Sequence, residues 1–297
     1  MTAERKCHLC QDTHPTFYCR KDDIDVYQCA KCGLIYAGET RNDTELRQHY
    51  SKEYFDSYFK NEAIHLAKRF KKRLPDLRRH APAGNILDVG CGAGFFLHLA
   101  SQNGYQAKGV ELSEFAAEYA RTHFSLDVFH GYLSDADLAP ESFDIITLWH
   151  VLEHVTDPRD FLAQVHALLK KNGLLALEVP NIGSFPAQAS GLFWELMAPR
   201  EHFYYFSPET VSRLLKESGF TIIDLTTFYW TTPTMYFRAR AAASKGVRKL
   251  FMNSIALALY PLSIMRFRMA PKCFPGDVLL IYARKTSKEP RNAALRP

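Results

Sequence analysis

The rhythm of apolar and polar positions changes three times along the chain, and each change marks a region. From Asn85 onward, short apolar runs alternate with stretches whose apolar residues recur at helical spacing. Asn85–Val89, Ala107–Glu111, Asp127–His130, Phe143–Trp149, Leu174–Val179 and Phe220–Phe228 read as strands. Helices are expected from Phe95 to Ser101, from Ser113 to about His123, from Asp157 to Lys171, and after Ser207-Pro208. Asp157-Pro158 and Ser207-Pro208 each join a capping side chain to a first-turn proline, while Asn172-Gly173 and Gly219 are stop signals. A final strand, Val278–Ala283, follows Gly276-Asp277 and brings the sheet to seven strands. Strands alternating with helices of this length predict an α/β, doubly wound sheet with parallel strands.

The flanking regions read differently. Residues 1–40 contain only short aromatic and β-branched runs, with Phe17, Tyr18, Ile24, Val26 and Tyr27, too few for a core of their own. Residues 41–83 have helical spacing and turn basic at Lys68, Arg69, Lys71, Lys72, Arg73, Arg78 and Arg79. Such a run is either a solvated helix face or a site for an anion. Residues 231–275 carry Arg and Lys on both sides of the apolar segment Leu250–Met265 and read as a helical insertion before the last strand. The expected division is therefore a small module 1–40, a helical linker 41–83, a sheet domain 84–230 with 276–286, and the insertion 231–275.

Composition narrows this picture without changing it. With 47% hydrophobic and 23% charged residues the chain can bury a sizeable core, so wholesale disorder is excluded. A net charge of +5 is too mild to indicate nucleic acid by itself. The first residues lack the apolar core of a secretory signal, and the longest apolar run, Ile255–Leu262, is far short of the ~20 residues of a membrane span. A cytoplasmic protein is expected. The span from 225 to 276 holds eight Lys or Arg and no Asp or Glu, which suits a peripheral contact of 231–275 with the inner face of a membrane. A helical lid or a dimer partner is the plainer reading of the same segment.

Four of the seven cysteines fall at Cys7, Cys10, Cys29 and Cys32, two Cys-x-x-Cys pairs separated by 18 residues. Each pair can grip one tetrahedral ion, and the spacing is that of a zinc ribbon. Four thiolates leave no open position, so the zinc is expected to be structural. Four free or redox-active thiols are the alternative.

The sheet carries its own chemistry at the first strand. Asp88 precedes the glycine turn Gly90-Cys91-Gly92-Ala93-Gly94, and Glu111 ends the next strand. Glycines let a ligand approach the backbone, and the acid accepts from ribose hydroxyls. A dinucleotide fingerprint needs a third glycine at 95, where Phe95 would hinder a pyrophosphate. Asp88 suits a cationic ligand better, so a sulfonium with an amino-acid tail fits both residues. With those residues in hand, Ile86-Leu-Asp-Val-Gly-Cys-Gly-Ala-Gly94, Val110-Glu-Leu-Ser113 and Phe143-Asp-Ile-Ile-Thr-Leu-Trp-His-Val-Leu-Glu-His-Val-Thr-Asp-Pro158 resemble, in order, the motifs of class I S-adenosylmethionine-dependent methyltransferases. The resemblance implies a Rossmann-like seven-stranded sheet binding S-adenosylmethionine. It puts Gly90, Cys91 and Gly92, with Asp88 and Gly94, along the methionine part and Glu111 on the ribose. Leu112, Tyr132 and Leu133 would then flank adenine, with Trp149 and His150 below the sulfonium.

The cysteine module followed by a helical stretch is similar to bacterial methyltransferases of surface-polysaccharide and deoxysugar pathways. That likeness implies a sugar acceptor, nucleotide- or lipid-linked. Candidate bases at the ends of the fourth and fifth strands are His150, Glu153, His154, Glu201 and His202. Sugar methyltransferases of this kind carry a Glu-His pair before an aromatic run, which Glu201-His202-Phe-Tyr-Tyr-Phe-Ser207 matches. His202, helped by Glu201, is the expected base. His154 is expected to fix its loop by hydrogen bonding. A nucleic-acid methyltransferase gripping RNA through the module is the alternative, although no Asn/Asp-Pro-Pro-aromatic motif stands where Trp149-His150 ends the fourth strand.

Overall fold

A computed structural model describes residues 6–39, 45, 68–229, 267–268 and 276–287. The strands are β1 (Pro15–Lys21), β2 (Ile24–Cys29), β3 (Ile35–Ala37), β4 (Asn85–Val89), β5 (Gln106–Glu111), β6 (Asp127–His130), β7 (Phe143–Trp149), β8 (Leu169–Pro180), β9 (Tyr204–Tyr205), β10 (Phe220–Phe228), β11 (Phe267–Arg268) and β12 (Val278–Lys285). The main sheet runs β11-β10-β12-β8-β7-β4-β5-β6. Strand order reverses at β4, which pairs in parallel with β5 on one side and β7 on the other. Ligands in open α/β sheets bind outside the strand carboxyl ends at this reversal.

Burial explains the strands' composition. Ile86, Leu87, Ile145, Ile146, Leu148, Leu174, Leu175, Leu177, Leu280 and Ile281 are fully buried, because helices cover both faces of the sheet. Ser113 caps the helix Glu114–Phe124, Asp157 caps Pro158–Leu168, and Ser207 with Thr210 forms a capping box for Pro208–Glu217. A helix through 68–80 lays Phe70, Leu74 and Leu77 against Phe96 and Trp149.

Three expectations need correction. The last strand is not parallel: β12 runs antiparallel to both β8 and β10. The helix expected to reach Lys171 stops at Leu168, because Leu169 pairs with Phe143 and starts β8 early. In the segment read as a helical insertion, Phe267 and Arg268 form β11, an eighth strand, antiparallel on the edge of β10. The rest of 231–275, with its proposed membrane contact, and residues 41–67 of the linker 41–83, apart from 45, lie outside the described residues. No helix among the described residues is long and apolar enough to cross a membrane.

The cysteine-rich module is not a separate body. Its strands form a second sheet, β1-β2-β3-β9, whose last strand belongs to the chain beyond β8. Ile35 pairs with Tyr205 and Tyr36 with Tyr204.

Candidate active site

The glycine turn after β4 opens into a cavity of about 650 Å³, within the range of small-molecule sites. Gly90, Gly92 and Gly94 have φ of 69°, 53° and 79°. A side chain on Gly90 would meet Val151 Cγ2 at 2.7 Å, whereas one on Gly92 would enter open space. Gly94 departs from its expected role. It caps the helix Phe95–Gln102, and a Cβ there would strike Leu126 and Ala120 at 2.7 and 2.9 Å. It therefore serves helix packing and does not line the cavity.

Asp88, Cys91, Glu111, Leu112, Tyr132, Leu133, Trp149 and His150 all line the cavity. Glu111 binds the turn to its own strand: Gly92 N donates to Oε2 at 2.7 Å and Ser113 N to Oε1 at 2.8 Å. Burial raises its pKa, against those donors. Asp88 Oδ1 accepts from Thr147 at 2.6 Å, while Oδ2 is buried and lacks a partner. Burial pushes the Asp88 carboxyl up to about 8, and the Glu111 charge adds to this. An orphaned buried carboxylate oxygen beside an open glycine fits a ligand that is cationic and close to the backbone, as S-adenosylmethionine is.

The other end of the cavity is built by chain that is distant in sequence. His150 sits at φ 57° past the end of β7, its Nδ1 3.0 Å from Glu153 Oε1 and its Nε2 3.7 Å from Glu178 Oε2. Glu178, two residues before the end of β8, is 1% exposed and also pairs with buried Arg73. Sequence reasoning missed this acid, although a lone carboxylate in the otherwise apolar Leu174–Pro180 was a signal. Arg69, from the basic run, lines the cavity, while Arg79 pairs with Asp76. The run thus divides between structural pairs and the site.

His154 and His202 meet edge to face at 4.8 Å. His154 Nδ1 donates to Glu201 O at 2.8 Å, and His202 Nδ1 donates to Leu196 O at 2.8 Å. Both acceptors are carbonyls, so both rings carry the proton on Nδ1 and keep Nε2 as a lone pair. The expected Glu201–His202 pairing is therefore replaced: Leu196 O orients His202, and the carboxylate facing both rings is Glu153. Ligand atoms of Glu153, His154 and His202 lie within 4.8 Å of one another, and Glu153 Oε2 is buried without a hydrogen bond. Burial lowers His150 to about 3 and His154 to about 4, lowers His202 and raises Glu153. Burial thus favours the neutral form of all three imidazoles.

The four cysteines converge as expected. Cys7 and Cys32 Sγ are 3.5 Å apart, Cys10 and Cys29 Sγ 3.4 Å, and all four lie within 4.8 Å. Tetrahedral zinc with ~2.3 Å bonds spaces sulfurs about 3.8 Å apart, so the donor set fits.

Comparison with known proteins agrees with the cavity. A family model described as a methyltransferase domain matches residues 58–225. The ubiquinone biosynthesis O-methyltransferase of Thiobacillus denitrificans is 29% identical over 190 residues, 60% of this chain and 82% of that protein. The mitochondrial ubiquinone biosynthesis O-methyltransferase of Schizosaccharomyces pombe is 39% identical over 100 residues, 31% of this chain and only 36% of that protein. These relatives are named for ubiquinone biosynthesis and not for the sugar pathways expected. A Thermotoga maritima methyltransferase, described as a possible histamine N-methyltransferase, superposes with a TM-score of 0.58 at 20% identity, over 81% of this chain and all of that one. A Burkholderia thailandensis 1,6-didemethyltoxoflavin-N1-methyltransferase, solved with S-adenosylhomocysteine, gives 0.51 at 16% identity, over 92% and 99%. At such identities the likeness shows the fold.

Proposed function

The chain belongs to the methyltransferase-domain family and is an S-adenosylmethionine-dependent methyltransferase, and from that premise we propose that it O-methylates a hydroxyl of a small acceptor. The observation that carries this reading is the pair of neutral imidazoles, His154 and His202, facing buried Glu153 in the same cavity as the glycine turn. S-adenosylmethionine supplies a methyl group already activated for in-line displacement. The protein must align the acceptor and remove one proton. Glu111 would hold the ribose with the lone pairs left by Gly92 and Ser113, Leu112, Tyr132 and Leu133 would pack on adenine, and Asp88 would face positive charge. His202 takes the acceptor proton at Nε2, and Glu153 stabilises the imidazolium that results. Glu201 gives His154 its orientation through its backbone carbonyl.

For the acceptor we retain a sugar, nucleotide- or lipid-linked. Glu195, Glu201, His154, His202 and Arg69 give that end of the cavity many groups able to bind hydroxyls and one able to meet a phosphate. The relatives' names, which place them in ubiquinone biosynthesis, make an aromatic hydroxyl the competing acceptor to test. Screening nucleotide sugars, polyprenyl-linked sugars and catechols with methyl-labelled cofactor separates them, and label transfer to catechols alone would overturn the sugar reading. We further propose structural zinc on Cys7, Cys10, Cys29 and Cys32.

A second reading of the acceptor end has its own support. Metal-bound histidines characteristically donate their other ring N–H to a carbonyl, as His154 and His202 do, and Glu153 Oε2 stands ready as a third ligand. Under this reading the triad binds a divalent ion that lowers the acceptor's pKa. Metal content decides: about one zinc per chain supports the base, and a second ion lost in His202→Ala supports the metal.

A further inference from the structure

Hydrogen bonds join the cysteine module to two segments of the methyltransferase domain, one of which, 197–205, carries His202 of the acceptor end. Ala37 N donates to Phe203 O at 2.9 Å, extending the β3–β9 pairing. Lys21 Nζ donates to Met197 O at 2.5 Å and Arg200 Nε to Asp22 O at 3.3 Å. On the second segment, Arg159 Nε donates to His8 O at 2.7 Å, beside a His8–Asp157 pair. Packing adds a direct link: Val26 and Ile35 of the module form one buried cluster with Trp194, Met197 and Tyr205, while Leu9, Leu34 and Tyr36 join the main core of the domain.

The path from the cysteines to the reacting end is short. Cys29 N donates to Leu34 O at 2.9 Å and Gly33 N to Cys29 O at 3.0 Å, so the second metal knuckle runs straight into β3. β3 holds β9, and the residue before Phe203 is His202. Phe203 N in turn donates to Glu153 O at 2.8 Å, and His202 Nδ1 is held by Leu196 O, next to the Met197 carbonyl that Lys21 grips. With so few apolar residues of its own, the module would draw much of the free energy that holds this shape from an ion on the four cysteines.

We infer that the four-cysteine module is a metal-dependent support for the acceptor wall: its folded state positions His202 and Glu153, while the cofactor half stands without it. This rests on the zinc reading above. The glycine turn is held instead by Glu111 and by Val110 O, which accepts from Gly90 N at 2.8 Å.

The test uses the full chain under reducing conditions with S-adenosylhomocysteine as the probe, so no acceptor is needed. Dialysis against 1,10-phenanthroline should remove the zinc and speed amide exchange at 203–205 at least tenfold. Modification of His202 by diethyl pyrocarbonate, mapped by peptide, should rise several-fold. Affinity for S-adenosylhomocysteine should stay within twofold, and added zinc should restore both loop signals. Loss of metal with exchange and His202 reactivity unchanged overturns the inference, as does a parallel collapse of cofactor affinity. Chelation would also strip an ion from Glu153, His154 and His202, so a second variant isolates the strap. Ala37→Pro removes the donor to Phe203 and leaves all four cysteines in place. It should loosen 203–205 and expose His202 with zinc still bound, and an unchanged wall overturns the inference. Chain purified without metal refutes the zinc reading itself, while Ala37→Pro still decides whether the module supports the wall.

Discussion

The two ends of the cavity are built on different principles. The cofactor end comes from one continuous stretch: Asp88 to Gly92, Glu111 to Ser113, and Gly131 to Leu133, joined by the backbone donors on Glu111. The acceptor end gathers Arg69, His150, His154, Glu195, Glu201 and His202, and is braced by a module near the N-terminal end of the chain. The first arrangement is encoded by spacing within a βαβ unit. The second depends on long-range packing, which on the inference above can change without disturbing the first. A common methyl donor with a variable acceptor is what such a division permits.

The strongest way to break the comparison is at His202. His202→Ala should lower turnover by about 10²–10⁴-fold, the usual worth of a positioned acid or base, with S-adenosylhomocysteine affinity nearly intact. Single-turnover kinetics beside calorimetry measures both. Turnover near normal would remove His202 as base, and lost cofactor affinity would show that the ends are not separable. The mirror experiment is Glu111→Ala. Its carboxylate holds the glycine turn and, on the proposed reading, would hold the ribose as well, so affinity should weaken by on the order of 1.5–3 kcal/mol, or roughly 10–150-fold. Unchanged affinity would contradict the motif reading.

The same division explains what could be read in advance. Strands β4, β6, β7 and β10 match their expected bounds: β4 and β7 are mostly buried apolar runs, and Gly90 after β4, Gly131 after β6 and Gly219 before β10 mark ends that local spacing gives away. The glycine turn and Glu111 carry their chemistry in local spacing, so they were legible too. The Glu201–His202 pair was legible as a motif but not as a geometry: adjacent residues suggest adjacent side chains, yet His202 turns to Leu196 O and faces Glu153, 49 positions earlier. β9 was not foreseen at all. Two residues, Tyr204 and Tyr205, become a strand only because β3 supplies the partner, and no periodicity fits into two positions. The antiparallel β12 was hidden for a related reason, since a buried apolar run has the same appearance in either direction.

A stability contrast within the glycine turn sharpens the picture. Gly94→Ala should destabilise the fold by about 1–3 kcal/mol, because the new methyl meets Leu126 and Ala120 and the backbone is left-handed. Gly92→Ala shares the left-handed backbone cost but has open space before it, so it should destabilise less and instead weaken cofactor binding, with a melting temperature closer to that of the unsubstituted chain. Thermal melts with and without S-adenosylhomocysteine distinguish the two. Equal melting temperatures for both variants would mean that Gly94, too, belongs to the ligand's side of the turn.

The smallest expected effect tests the cofactor end by charge alone. Asp88 is 1% exposed, and burial holds its carboxyl near 8, so near neutral pH it is mostly protonated before ligand arrives. Positive charge on S-adenosylmethionine favours the carboxylate, so the pKa is lower in the complex and binding releases a proton. Affinity should therefore rise with pH below 8 and level off above it, by up to about tenfold between pH 7 and 8.5. The ligand's own α-amino group titrates at about 8 and loses its charge as pH rises, which opposes the trend. Asp88→Asn supplies the baseline, since it keeps the shape and the ligand's titration but has no carboxyl to ionise. The steeper rise in the unsubstituted chain is Asp88's contribution. Repeating the series with S-adenosylhomocysteine, which lacks the sulfonium, tells which charge matters. A slope kept with both ligands puts Asp88 on the ammonium, and a slope lost with S-adenosylhomocysteine puts it on the sulfonium. Identical profiles for Asp88→Asn and the unsubstituted chain would mean that the orphaned oxygen faces no charge at all.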